Sequence, residues 1–94
     1  MAIEYEWQML VEGKWTNIEP TPNTIGGALN HYGTIEIRIL RWIGDTAYYY
    51  AGILNMAELR HVATAGYSPA EHVQRQMDLL KFKLERQVVE ALTS

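Results

Sequence analysis

The sequence predicts an α+β domain, in which antiparallel strands pack on a short helix and a long helix follows them. Three features carry this prediction. Apolar side chains alternate with polar ones at the start of residues 3–11 and again at the start of residues 34–43. A Thr-Pro pair opens a short amphipathic segment between these two strands. A Ser-Pro-Ala-Glu box at residues 68–71 opens a much longer amphipathic segment.

The first two strands are predicted to form a hairpin. Alternation in IEYEWQMLV, residues 3–11, places one set of side chains on a single strand face: Ile3, Tyr5, Trp7 and Met9. Gly13 supplies the positive φ that a tight hairpin turn requires. The return strand spans residues 15–18, and Pro20 and Pro22 end it.

A short helix is predicted over residues 22–32. Thr21 is a suitable N-cap, and Pro22 is a residue type favoured at the first helical position. Gly33 is a suitable C-terminal cap. Two consecutive glycines inside the helix lower its intrinsic propensity, so packing has to hold it.

The second hairpin is predicted from residues 34–43 and 46–54, which surround a Gly-Asp turn. Residues 55–62 fit either a strand or a helical turn, and both alternatives stay open. Residues 63–67 are small and include a glycine, which is typical of a loop.

A long helix is predicted over residues 69–92. Its main apolar stripe has a spacing of four and three residues: Val73, Met77, Leu80, Leu84 and Val88. A second apolar set lies off this stripe: Leu79, Phe82 and Val89. Because large apolar patches are rare on soluble monomers, we expect a homodimer in which this helix packs antiparallel on its copy. The alternative is a monomer whose helix also packs on the outer side of the first hairpin.

The composition is that of a globular chain, with 48% hydrophobic and 20% charged residues. A net charge of −3 makes nucleic acid an unfavoured partner, since such binding depends on neutralising phosphates. The absence of cysteine excludes disulfides and thiolate chemistry. The first residues, MAIEYEW, lack the basic and apolar regions of a signal peptide, and no run approaches the about 20 apolar residues of a membrane span. We therefore expect a cytoplasmic protein without a membrane partner.

Three segments in this order resemble a WWE domain. The hairpin YEWQMLVEGKWTNI, residues 5–18, carries two tryptophans eight residues apart. The helix TIGGALNHYG, residues 24–33, follows it, and the aromatic strand YYYAGILNMAEL, residues 48–59, comes later. The resemblance covers residues 4–67 and implies a curved antiparallel sheet, a half-barrel, packed on the short helix. The predicted organisation is therefore a WWE-like domain at residues 1–67. Residues 68–94 form a helix that belongs to the same unit or serves oligomerisation.

The resemblance also implies a ligand. WWE domains bind ADP-ribose-type nucleotides, including the iso-ADP-ribose unit of poly(ADP-ribose), by stacking adenine on aromatic side chains. Trp15 and Tyr49 match pocket positions of the family. Glu58 stands where the family has Gln, and the family's downstream basic cluster has no Arg or Lys here, so Arg38, Arg41 and Arg60 are the candidate replacements.

Two functions follow as hypotheses. The first is a non-enzymatic binding protein with a WWE-like pocket for an ADP-ribose-like or adenine nucleotide. The alternative is a protein–protein adaptor, inhibitor or effector that keeps the fold without binding nucleotide. The retained Trp15 and Tyr49 favour the first hypothesis, and the departures at the Gln and basic positions favour the alternative. Among the tryptophans, Trp7 is expected in the core and Trp42 partly exposed, while Trp15 is assigned with equal weight to a pocket and to surface packing.

Catalysis and metal binding are not expected, and no cofactor is predicted. The three histidines lie far apart in sequence and have no metal-ligand spacing: His31, His61 and His72. Glu58, Arg60 and His61 form a polar cluster suited to acid–base chemistry, but no nucleophile or metal site accompanies it.

Overall fold

The structure, a computed structural model, describes residues 3–93; the predicted boundaries at residues 1–2 and 94 lie outside the described residues. It confirms the α+β fold class: an open four-stranded antiparallel sheet with three helices, of which the C-terminal one is long. The elements are β1 Glu6–Val11, β2 Lys14–Asn17, α1 Pro22–Tyr32, β3 Thr34–Ile43, β4 Thr46–Asn55, α2 Met56–Thr64 and α3 Pro69–Thr93.

The caps of the helices follow from the residue types at their ends. The Thr21 side chain accepts a hydrogen bond from the Thr24 backbone N–H, and Gly33 ends α1 with φ 82°. The segment that the sequence left open is helix α2, because the Asn55 side chain caps it by accepting from the Glu58 N–H at 2.8 Å. Ser68 accepts from the Glu71 N–H at 3.3 Å at the start of α3.

The strands lie in the order β2-β1-β3-β4, and every pair is antiparallel. The two hairpins are therefore joined by pairing β1 with β3, which brings Met9 opposite Ile37. This order leaves β2 and β4 as the two edges of the sheet. The sheet does not close on itself.

The core lies between one face of the sheet and the helices. Alternate residues of β3 point into it, and Ile37 and Ile39 are fully buried there. From α3, the whole predicted stripe is buried: Val73, Met77, Leu80, Leu84 and Val88. Gly52 of β4 lies directly under this helix, since a Cβ built on it would come within 2.8 Å of the Leu80 Cδ2 atom.

The tryptophans divide between core and surface. Trp7 lies on the core side of β1 and packs against the core cluster, but it is only half-buried, which is less than the core position predicted for it. Trp42 is 55% exposed, as expected for the opposite strand face. Within residues 3–93, no helix has the length and apolar character to cross a membrane.

A polar contact joins α3 to the sheet at the side of the core. The Tyr5 hydroxyl donates to Glu85 Oε1 at 2.5 Å, and Arg41 forms a salt bridge with the other oxygen of the same carboxylate. The Lys81 ammonium lies 4.7 Å from the centre of the Tyr5 ring. Burial, followed by the hydrogen bond and charge of Glu85, raises the pKa of Tyr5 from 10.0 to about 12.

This shift predicts a stability change at alkaline pH. Because the pKa of Tyr5 is higher in the folded state, its contribution to the free energy of unfolding is complete below pH 10 and is lost as the pH rises towards about 12. Tyr5→Phe should cost roughly 1 kcal/mol at neutral pH and should flatten this decline. Urea unfolding of both proteins at several pH values from 7 to 12 measures it. Parallel curves for the two proteins would contradict the assignment.

Candidate binding surface on the open sheet face

The face of the sheet that points away from the helices is called the open face here. Residues directly opposite each other in an antiparallel pair share a face, so the strand register defines its members. Gln8 lies opposite both Asn17 and Arg38, and Arg38 lies opposite Ala51. The open face carries Glu6, Gln8, Leu10, Trp15, Asn17, Glu36, Arg38, Leu40, Trp42, Ala47, Tyr49, Ala51 and Ile53.

Arg38 lies at the centre of this face and contacts two aromatic rings. Its Cζ atom is 4.3 Å from the centre of the Trp15 ring and 5.3 Å from the centre of the Tyr49 ring. Both distances fall within the range of cation–π attraction. The planar guanidinium thus links an aromatic side chain of β2 to one of β4, the two opposite edges of the sheet.

Hydrogen bonds hold the guanidinium in this position. Arg38 Nε donates to Gln8 Oε1 at 2.8 Å, and Gln8 Nε2 donates to Asn17 Oδ1 at 2.9 Å. The chain of bonds runs from β3 through β1 to β2 and fixes one side of the arginine fork. The arrangement is therefore organised before any partner binds, which lowers the entropy lost on binding.

Several large apolar side chains also belong to the open face. Leu40 is buried although it lies on this face and outside the main core cluster. Three others are exposed: Trp42 by 55%, Tyr49 by 51% and Ile53 by 66%. Exposed apolar side chains gathered on one face are typical of interaction sites on soluble proteins.

The charges on the open face do not favour an anion. Arg38 is its one cationic side chain among the described residues, and Glu6 and Glu36 belong to the same face. The guanidinium is already engaged with Gln8 and two rings. A pyrophosphate would require several donors or cations, which this face does not gather.

The structure divides the predicted ligand residues between two places. Trp15, Arg38 and Tyr49 come together on the open face. Glu58 and Arg60 lie on α2 instead, where Glu58 Oε1 is 3.1 Å from His72 Nε2. Arg60 borders a shallow recess that also involves the end of α1 and the start of β3.

Sequence reasoning missed Gln8, Asn17, Leu40 and Ile53 as parts of the surface. Alternation placed Gln8 on the polar side of β1, but only the pairing of β1 with both β2 and β3 brings it beside Arg38. Ile53 could have been found from its spacing, because it lies four residues after Tyr49 in the same strand and so shares its face. Sequence alone does not show which face of that strand the helices cover.

Within residues 3–93, no three His, Cys, Asp or Glu side chains lie close enough to hold a metal ion.

Comparison of the sequence with protein-family profiles, with curated proteins and with solved structures gives no match.

Proposed function

We propose that this is a non-enzymatic binding protein that docks another protein on the open face of its sheet. The observation that carries the proposal is the Trp15–Arg38–Tyr49 cluster on a sheet face that no helix covers. This proposal corresponds to the adaptor or inhibitor alternative among the sequence-based hypotheses.

The residue types of the cluster support a protein partner. Trp, Tyr and Arg are the residues most enriched among those that dominate the energy of protein–protein interfaces. Such residues act best near the centre of a contact, with less critical apolar groups around them. Arg38 holds this position here, with the rings of Trp15 and Tyr49 against it and Leu10 opposite Trp15 on the same face.

The shape of the surface supports the same class of partner. Small-molecule sites are concave and enclose most of their ligand, whereas this surface is the side of an open sheet. A flat partner face can contact Trp42, Tyr49 and Ile53 at once. A single nucleotide would leave most of these groups exposed.

Nucleotide binding is the second candidate, and one observation favours it. Three of the residues predicted from the WWE resemblance, Trp15, Arg38 and Tyr49, lie together. In this alternative an adenine-containing ligand displaces Arg38 from one ring and stacks there, and the guanidinium turns to its phosphates. The two proposals make opposite predictions about isolated nucleotides.

A thermal-shift experiment separates the two. The probes are ADP-ribose, iso-ADP-ribose, cyclic ADP-ribose isomers and ATP, each at about 1 mM. A ligand present at 100 times its Kd stabilises by about 2.7 kcal/mol, which is a large shift in Tm for so small a domain. A protein-binding face predicts no shift with any of them.

A saturable increase in Tm with a nucleotide would contradict the protein-binding proposal if variants of the open face show that the nucleotide binds there. In that case Trp15→Ala and Tyr49→Ala should each weaken nucleotide binding by about 1–3 kcal/mol, the scale of base–aromatic stacking. Leu92→Ala, an exposed position on α3, is the matched control and should leave affinity unchanged. A shift that survives both aromatic variants would place the nucleotide elsewhere.

A further inference from the structure

The edge strand β4 lacks the features that usually protect a sheet edge. It runs for ten residues, Thr46–Asn55, with the sequence TAYYYAGILN, and contains no charged residue and no proline. Outside the β3–β4 ladder, no backbone hydrogen bond in the described chain involves residues 46–54. Its outward N–H and C=O groups are therefore free to pair with another strand.

The opposite edge shows the contrast. Strand β2 has only four residues, begins at Lys14 and is followed by Pro20 and Pro22. Short length, a lysine and nearby prolines are devices by which proteins discourage edge-to-edge pairing. One edge of this sheet is thus protected, and the other is long, uncharged and rich in tyrosine.

We propose that β4 pairs antiparallel with β4 of a second copy, about a two-fold axis at Ala51, and forms a continuous eight-stranded sheet. A second copy fits because the strand is complementary to itself in this register. Tyr49 then lies opposite Ile53 of the second copy, and Ile53 lies opposite its Tyr49. These are the two exposed large side chains of β4 on the open face, and each covers the other.

The core-facing side of the strand agrees with the same register. Tyr50 lies opposite Gly52 of the second copy, so the largest side chain meets the smallest. Tyr48 lies opposite Leu54. No pair brings two charges together, because the strand has none.

This surface is separate from the one predicted on α3. The off-stripe residues Leu79, Phe82 and Val89 are exposed, as a helix-mediated dimer requires, and they lie on the face of α3 away from the sheet. We keep that contact as a second proposal. The β4 pairing does not rest on it, nor on the binding proposed for the open face.

The experiment uses the full chain and first abolishes any contact through the exposed apolar residues of α3. Phe82→Glu with Val89→Glu places like charges at two of the exposed apolar positions of α3 and leaves the buried stripe intact. In this background, sedimentation equilibrium at high micromolar concentration should still show a dimer, held by β4. A monomer there would overturn the inference.

Two changes at the proposed axis then test the register. Ala51→Glu places a carboxylate opposite Arg38 within one chain, where the two charges attract, so the monomer should stay folded. In the proposed dimer the same carboxylate lies opposite its counterpart in the second copy, where the two charges repel. The dimer should weaken at least tenfold at low salt, and less at 0.15 M, where charges are screened over about 8 Å. Ala51→Gln has the same size without the charge and should remain dimeric. Equal dimerisation of both variants would contradict an axis at Ala51.

The same variants also test, independently, whether the exposed residues of α3 form a dimer contact. Ala51→Glu alone, with α3 unchanged, should remain associated if the helix surface also self-associates. If it becomes monomeric while the α3 variant stays dimeric, β4 accounts for self-association and the helix contact is wrong. Circular dichroism of each variant confirms that the monomer is folded.

Discussion

A chain that stops after Tyr67 is expected not to fold. Among the described residues, helix α3 contributes five of the fourteen buried apolar side chains, and they contact the sheet and α1 together. Loss of one such side chain to alanine commonly costs about 2–5 kcal/mol, while a domain of this size is stable by only about 5–10 kcal/mol. Removal of all five therefore exceeds the available stability. Far-UV circular dichroism and urea unfolding of the fragment measure this.

Two point variants only two residues apart on α3, on opposite faces of the helix, provide the matched comparison. Leu84 is fully buried, whereas Phe82 is 60% exposed. Leu84→Ala should lower the free energy of unfolding by about 2–5 kcal/mol, and Phe82→Ala should change it by less than about 0.5 kcal/mol in the monomer. A fragment of residues 1–67 that unfolds cooperatively would show that α3 is an appendage.

Local features of the sequence were sufficient for most of the secondary structure. The Thr-Pro start and Gly33 predicted α1 with the bounds that the structure has, Pro22–Tyr32. The strand prediction for residues 34–43 agrees with Thr34–Ile43. These elements depend on capping and on side-chain periodicity, both of which act over a few residues.

Helix α2 shows the limit of periodicity. Residues 55–62 are short and have few apolar positions, so a strand and a helical turn fitted them equally. Their state depends on the Asn55 cap and on Leu59, which is buried in the core. A tertiary contact of this kind is not visible in a pattern of eight residues.

The order of the strands in the sheet could not be predicted from the sequence either. Each hairpin is a local feature, but the pairing of β1 with β3 joins residues about 30 positions apart. That pairing brings Gln8 to Arg38 and makes β4 an edge. The convergence of Trp15, Arg38 and Tyr49, and the exposure of the β4 edge, both follow from it.

The predicted ligand set was divided for the same reason. Its members were chosen from positions in a family pattern, and the strand register brings three of them, Trp15, Arg38 and Tyr49, to the open face. Glu58 and Arg60 belong to α2, which packs with β4 and α3. A match to the family pattern therefore did not show which of these residues would lie together on the sheet.

Substitution of Trp15 or Arg38 is expected to weaken partner binding strongly. Residues of these types at the centre of an interface often contribute 2 kcal/mol or more when they are changed to alanine, which is about 30-fold in Kd. Arg38→Lys keeps the charge but loses the planar group that stacks on Trp15 and bonds to Gln8. It should therefore behave like Arg38→Ala if stacking matters and like the parent if only charge matters.

The partner for this measurement can be captured from the open face itself. A photo-cross-linking residue in place of Trp42, which is 55% exposed on this face, should join the partner covalently in cells. The same residue in place of Tyr67, which is 67% exposed in the loop before α3, is the control and should not. The cross-linked protein is then identified and purified.

The most direct test is the Kd of that purified partner for four forms of the chain: the parent, Trp15→Ala, Arg38→Ala and the control Leu92→Ala. The account predicts that the two open-face variants bind at least about 30-fold more weakly, while Leu92→Ala stays within about threefold of the parent. All four proteins should show the same circular dichroism spectrum. Unchanged affinity in both open-face variants, or cross-linking from Tyr67 in place of Trp42, would contradict the assignment of the open face as the binding surface.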